Sequence, residues 1–165
     1  MHDLAVLHIG AEQTVVMHGG EVVPQAVLTL PIGARQTAAA YFRSPRARPL
    51  DIERAIAAVE DEVMKLRALI PDDTKLCTTD AAIAEIAVLA GARKAPLMHM
   101  SLDAMEQVFD RWTAVAMGRP VSQDEVPTSP PFAATLLILR EFMHHLQFGE
   151  ITIVDQCTPD GPTGA

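Results

Sequence analysis

Residues 4–30, LAVLHIGAEQTVVMHGGEVVPQAVLTL, decide the fold class of this chain. They contain three apolar runs with strand character, separated by turn-forming segments at 10–13 and 18–20. Short strands joined by tight connections pair with their neighbours along the chain. The stretch therefore predicts a three-stranded antiparallel meander.

After Pro31 the apolar spacing becomes that of helices, because apolar residues recur on one helix face from position 52 to 66. A further helix is predicted near 34–42, and another begins at Asp80, which caps it, and ends at Gly91. Two more begin at Ser101 and at Ser129, the last of them ending at Gly149. Brief strands are predicted at 74–77 and 151–154. Strands that alternate with helices imply a mixed α/β sheet with helices on its faces. The right-handed crossover rule favours five strands in the order 3-2-1-4-5. We expect a single domain over residues 1–156 and a C-terminal tail over 157–165.

Composition narrows the classes of function. The 165 residues carry a net charge of −8, which disfavours nucleic acid and anionic membranes as partners. The basic cluster of Arg43, Arg46 and Arg48 is interpreted as a solvated loop rather than an anion patch. No apolar run reaches the ~20 residues of a membrane span, and the N-terminus lacks the basic region of a signal peptide. Two cysteines far apart in sequence form no disulfide framework, so a cytoplasmic location is expected.

Short motifs along the chain resemble, in order and spacing, the second actin-like domain of the Ppx/GppA family, the exopolyphosphatases and guanosine pentaphosphate phosphatases. The family's Asp-Ile-Gly-Gly-Gly-Ser corresponds to His8–Gln13, and its Leu-Pro-Leu-Gly-Ala corresponds to Leu30–Ala34. Further matches are the Gly-Gly-Thr loop at Thr78–Asp80, the helix start at Met100–Met105 and the closing strand at Thr152–Gln156. The resemblance implies a ribonuclease H-like, actin-like ATPase domain in a bacterial cytosol.

The same comparison implies a degenerate phosphate site. Backbone amides approach phosphate closely where glycine stands, and the family's glycines survive here only at Gly10. The remnant phosphate-binding residues would be Gly10, Ala11, Glu12, Gln13, Thr78, Thr79 and Asp80, with His8 and Asp155 in the cleft. Two carboxylates facing a phosphate repel it, by about 4 kcal/mol per pair at 4 Å and an effective dielectric of 20. Bound Mg²⁺ would reverse the sign of that interaction.

The predicted strand order brings the C-terminal ends of strands one, four and five to one crevice, where open α/β sheets bind ligands. It would hold His8, Glu12, Cys77, Asp80, Asp155 and Cys157. Such groups could hold a transition metal, but a remnant cleft of hydrogen-bonded polar groups is the favoured interpretation. Two buried thiols are likewise favoured over a redox pair. His144 and His145 point about 100° apart on a helix and cannot chelate one ion together.

The favoured hypothesis is a non-catalytic Ppx/GppA-like domain that acts in protein interaction or within a larger assembly, with no catalytic residue and no cofactor of its own. Its partner would be a second copy or a missing N-terminal actin-like domain, since the family's catalytic glutamate belongs to that domain. The alternative is half of a Mg²⁺-dependent phosphohydrolase that needs a second domain or chain. A third hypothesis is a metal sensor that uses His8, Asp80 and Asp155. The apolar run Leu136–Leu139 indicates a centrally buried helix or, less simply, a dimer contact.

Overall fold

A computed structural model of the chain describes residues 3–20, 24–43, 46–118 and 126–154. The strands are β1 (Leu4–Ile9), β2 (Thr14–Gly19), β3 (Pro24–Leu30), β4 (Lys75–Thr78), β5 (Leu97–Ser101) and β6 (Glu150–Val154). The helices are α1 (Ala34–Tyr41), α2 (Pro49–Val63), α3 (Ala81–Leu89), α4 (Leu102–Ala116) and α5 (Pro130–His145), and a 3₁₀ turn, Met64–Leu66, continues α2. In these ranges no helix is long and apolar enough to cross a membrane.

The sheet confirms the predicted meander but corrects the predicted strand count. It has six strands in the order β3-β2-β1-β4-β6-β5, whereas five in the order 3-2-1-4-5 were expected. The predicted fifth strand is β6, which pairs in parallel with β4 as expected. The missed strand is β5, which adds to β6 in antiparallel orientation at the sheet edge. Its five residues run directly into α4, so the helix start at Ser101 concealed the strand before it.

All five helices pack on one face of the sheet, which corrects the expectation of helices on both faces. Across the register, the side chains beneath the helices form a continuous row of Leu28, which is half-buried, and Val16, Leu7, Thr78, Ile153 and Met98, which are buried. The alternate row of Val27, Met17, Val6, Cys77, Thr152 and His99 is exposed or half-buried throughout. The physical reason is topological. Because β3 and β4 are parallel, a right-handed connection places α1 and α2 on one side of the sheet, and α5 contacts α1, α2, α3 and α4 on that same side.

Helix α5 is the centre of the helical layer. It contacts each of the other four helices, and Leu136, Leu137, Ile138 and Leu139 are fully buried. Burial within the domain therefore accounts for this apolar run without a dimer contact. Trp112 packs edge-on against Phe42, with ring centroids 5.6 Å apart, in the core position predicted for it.

Three predicted helix boundaries are confirmed, at Ser101, Gly91 and Ser129, which caps α5, and two are not. Ser101 caps α4 by accepting a hydrogen bond from the Ala104 amide at 3.1 Å, and Gly91 ends α3 with φ +102°. Asp80 precedes α3, but its side chain makes no capping hydrogen bond. Helix α5 stops before Gly149, because Gln147 takes the left-handed conformation at φ 61° and the Phe148 amide bonds back to Met143. Phe148 then stacks on Phe142, with centroids 5.8 Å apart, which favours this earlier end.

Candidate functional site

The crevice at the C-terminal end of β1 is organised by one carboxylate. Asp80 follows β4, and its Oδ1 lies 2.7 Å from His8 Nδ1. Its Oδ2 accepts a hydrogen bond from the Ile9 amide at 2.8 Å. The Asp80 side chain is only 11% exposed, whereas that of His8 is 61% exposed. Asp80 therefore holds the strand end, and it does so instead of capping α3.

The Thr78 hydroxyl ties β4 to β1 beneath the Asp80 carboxylate. Thr78 is buried, and its hydroxyl donates to the Leu7 carbonyl at 2.8 Å. The same oxygen accepts from the Asp80 amide at 3.1 Å. Thr79, the next residue in the predicted second phosphate loop, is exposed. These hydrogen bonds hold the loop at 78–80, and with it Asp80, against β1.

The first predicted phosphate loop is folded onto the start of α1. The Gly10 amide donates to the Gln13 carbonyl at 2.9 Å, which closes the turn on itself. The Gly10 carbonyl accepts from the Ala34 amide at 2.8 Å. The Ala11 carbonyl accepts from the backbone amides of Arg35 and Gln36 at 2.9 and 3.1 Å. The first amides of a helix are ordinarily free to bind an anion. In α1 the chain's own carbonyls already occupy three of them.

Glycine is required at Gly10, where a Cβ atom would lie 2.9 Å from the Gln13 carbonyl oxygen, and still more at Gly33. A Cβ atom on Gly33 would lie less than 3.0 Å from backbone atoms of Ala11 and Glu12. Gly33 is buried and extended, with φ −144°, so its role is to allow close backbone approach. Thr14 supports the same segment by donating to the Ile32 carbonyl at 2.8 Å.

A cleft of about 390 Å³ opens beside this loop, between the N-terminal ends of three helices. Ala34 and Arg35 of α1, Ala82 of α3 and Ser129 before α5 contribute to its wall. The start of α5 offers few free backbone donors. Pro130 and Pro131 have no amide hydrogen, and the Phe132 amide donates to the Ser129 hydroxyl oxygen at 3.4 Å. The exposed residue Glu85 also contributes to the cleft wall.

Arg35 is the cleft residue that the sequence reasoning missed. Its guanidinium pairs with the Glu12 carboxylate, and both side chains are more than half exposed. Glu12 therefore turns toward α1 and does not join Asp80. No local pattern signals this pairing, because Glu12 and Arg35 are 23 residues apart in sequence and meet only in the fold.

The other predicted crevice residues do not come together in the described ranges. Cys77 lies on the uncovered face of the sheet, where partial burial raises the pKa of its thiol. Asp155, Cys157 and the tail from 157 to 165 lie outside the described residues, so the three-residue metal hypothesis rests on the His8–Asp80 pair alone. His144 is exposed and His145 is half-buried, consistent with their expected divergence.

The uncovered sheet face is a second feature that sequence patterning did not reveal. Four of its apolar side chains are 39–62% exposed: Met17, Val27, Leu97 and Val154. They lie on four different strands, β2, β3, β5 and β6, and span the whole sheet. They form two neighbouring pairs at opposite edges of the sheet, Met17 with Val27 and Leu97 with Val154, and exposed apolar surface can mark interaction sites on folded proteins.

The chain thus has a mixed α/β fold, in which a β-meander continues into a six-stranded sheet with helices packed on one face. Solved structures share this fold. The Aquifex aeolicus Ppx/GppA phosphatase, in its type II variant, superposes with a TM-score of 0.78 at 14% identity, over 93% of this chain and 53% of that chain. A Cytophaga hutchinsonii exopolyphosphatase superposes with a TM-score of 0.74 at 11% identity, again over 93% and 53%.

The Ppx/GppA resemblance predicted from the motifs is therefore confirmed as a shared fold. The chain spans about half the length of these solved structures. No protein-family sequence model and no curated protein sequence matches it.

Proposed function

We propose that this chain is a non-catalytic domain of exopolyphosphatase-like fold that works by binding another polypeptide. The observation that carries the proposal is the state of the backbone amides at the crevice. The amides of Ile9 and Gly10, and those that open α1, donate to acceptors within the chain. A phosphate would have to displace these acceptors before it could bind.

Electrostatics supports the same conclusion. Asp80 fixes a carboxylate at the point where the strand end would meet a phosphate, and Glu85 adds another at the cleft wall. Each such pair at 4 Å opposes binding by about 4 kcal/mol at an effective dielectric of 20, roughly a thousandfold in affinity. Arg35 would attract an anion, but Glu12 already neutralises it.

The uncovered sheet face supports a polypeptide as the partner. An actin-like domain with one bare face leaves apolar side chains in water, and covering them provides the usual driving force for association. The partner proposed is either a second copy or a separate actin-like domain. A second copy would make the chain self-associate, so sedimentation velocity distinguishes the two.

The sedimentation experiment compares the wild type with Val27→Asp and Leu69→Asp. Val27 is 62% exposed on the bare face, and Leu69 is 55% exposed in the turn after α2, so the two changes add the same charge at similar exposure. Self-association through the sheet predicts loss of the dimer in Val27→Asp only. A monomeric wild type at high concentration would exclude the second copy, and equal effects of both changes would contradict the sheet face as the contact.

The alternative function is half of a Mg²⁺-dependent phosphohydrolase, and it is favoured by the half-length match to solved phosphatases. Calorimetric titration with short-chain polyphosphate, with and without Mg²⁺, tests both functions. The proposal predicts no saturable heat in the wild type. Saturable binding that Gly10→Val abolishes would establish the alternative, because a Cβ there meets the Gln13 carbonyl at 2.9 Å.

A charge-removal control makes a negative result informative. In Glu12→Gln with Asp80→Asn, both carboxylates are replaced by neutral groups of the same shape, and Arg35 is left unpaired. Binding that appears only in this double variant would show that the carboxylates close the site. If neither protein binds, the internally bonded amides are sufficient to close it.

A further inference from the structure

The C-terminal ends of α2 and α5 bring together a second group of polar side chains, far from the crevice. His145 Nε2 lies 2.8 Å from Glu141 Oε2 and 3.8 Å from Glu60 Oε1. The three ligand atoms all lie within 4.8 Å of one another. Glu141 and His145 are four residues apart on α5 and so project from the same helix face.

We propose that Glu60, Glu141 and His145 form a binding site for a divalent transition-metal ion such as Zn²⁺. Imidazole nitrogen and carboxylate oxygen are ordinary zinc ligands, at bond lengths of about 2.0–2.2 Å. Tetrahedral coordination at such bond lengths puts the ligand atoms about 3.3 Å apart. This value lies between the 2.8 Å and 3.8 Å distances from His145 Nε2 to the two carboxylates. Glu60 is 43% exposed, so its side chain has the freedom to close the longer one.

The position of the carboxylates in their helices is the first independent argument for a cation. Glu60 lies in the last turn of α2 and Glu141 in the last turn and a half of α5. Both are near the negative end of the helix macrodipole, which disfavours anions and favours cations. Glu141 is only 1% exposed and already has Arg140 as a positive partner on Oε1, so its Oε2, which lies beside His145, is the oxygen left for a metal. A metal between the two helices would in addition give Glu60 a positive partner.

Arg140 supplies the support that metal ligands usually have behind them. Its Nη1 donates to Glu141 Oε1 at 2.6 Å, and its guanidinium lies 4.5 Å from the centre of the Phe109 ring. Because Oε1 is held in this way, Oε2 is the oxygen that faces His145. Outer hydrogen bonds of this type orient ligating carboxylates in metal sites.

An open coordination position remains on the solvent side. The side chain of His145 is 21% exposed, and that of Glu60 is 43% exposed. Three protein ligands with one position left for water is the arrangement of accessible zinc sites. The site is at the opposite end of α5 from the Ser129 cleft, about 22 Å away for a helix of this length. Metal bound here would not contact a ligand in the crevice.

The test is calorimetric titration of the full chain with ZnCl₂ in a non-chelating buffer, with melting temperature as a second readout. The variants are His145→Ala and Glu60→Gln, because Glu141 is buried against Arg140 and its replacement would endanger folding. The matched control is His144→Ala, which removes an exposed imidazole from the same turn. That imidazole lies 3.5 Å from Glu106 and packs edge-on against the His145 ring, with centroids 5.0 Å apart, but is not one of the three proposed ligands.

The proposal predicts one Zn²⁺ per chain and a higher melting temperature with the metal. Both variants should weaken binding at least tenfold, and His144→Ala should change it less than twofold. If the wild type shows no saturable binding, the three residues form an ion pair only and the proposal is wrong. Binding that survives both variants belongs to other groups and overturns it equally.

Discussion

Replacing Gly33 with alanine tests the contact on which the closed crevice depends. The backbone of Gly33 is extended, with φ −144°, so alanine meets no conformational penalty and the effect is steric. The new Cβ would collide with backbone atoms of Ala11 and Glu12, which no rotamer change can relieve. The loop at 10–13 must therefore move away from α1.

The magnitude follows from what that movement breaks. Overpacking at a buried site costs about 1–3 kcal/mol. The shift also strains three hydrogen bonds from α1 amides to the Gly10 and Ala11 carbonyls, each worth about 0.5–1.5 kcal/mol. Because the strain is shared rather than additive, we expect a loss of about 2–4 kcal/mol in the free energy of unfolding.

Urea unfolding followed by the fluorescence of Trp112 measures this loss. Trp112 is the single tryptophan of the chain and is 4% exposed, so its emission reports on the core. Gly149→Ala is the matched control, because a Cβ there meets nothing within 4 Å. It should change stability by less than about 0.5 kcal/mol. If Gly33→Ala is as mild as Gly149→Ala, the loop does not pack on α1 as described, and the argument for a closed crevice fails with it.

Three further predictions concern the core, a helix cap and a thiol. Leu137→Ala should cost about 2–5 kcal/mol in urea unfolding, because Leu137 is fully buried in α5, and a cost below about 1 kcal/mol would contradict that burial. Ser101→Ala should cost about 1 kcal/mol by removing the cap on the Ala104 amide, and Ser101→Asp should retain most of that stability. Alkylation of Cys77 by iodoacetamide, measured in Cys157→Ser, should reach half its maximal rate at a higher pH than in the urea-unfolded chain, because burial raises the pKa of this thiol. A thiol whose pKa is raised on folding favours the native state while it is protonated, so this contribution to the free energy of unfolding is lost as the pH rises through the folded pKa. Cys77→Ala should therefore remove this part of the loss of stability at alkaline pH.

The sequence identified many residues of the candidate site, but it did not identify which residues bond to each other there. His8, Glu12 and Asp80 were all predicted to lie at the crevice, and the structure places them near the ends of β1 and β4. Asp80 was expected to cap α3 and instead bonds to β1, because an unpaired amide at the strand end competes for the same carboxylate. Glu12 pairs with Arg35, 23 residues away, and no local pattern encodes such a contact.

The sequence by itself determined the meander and the helical segments, because apolar periodicity and turn residues are local properties. The order of the first four strands followed from the crossover rule applied to those elements. The sequence favoured the burial of α5 over a dimer contact, and the structure shows that the other four helices cover it. Only the tertiary structure decided that β5 joins the sheet, that all helices lie on one face, and that Glu60 meets Glu141 and His145. These outcomes depend on crossover handedness and on contacts between residues distant in sequence, where many partners satisfy the same local pattern and packing selects one.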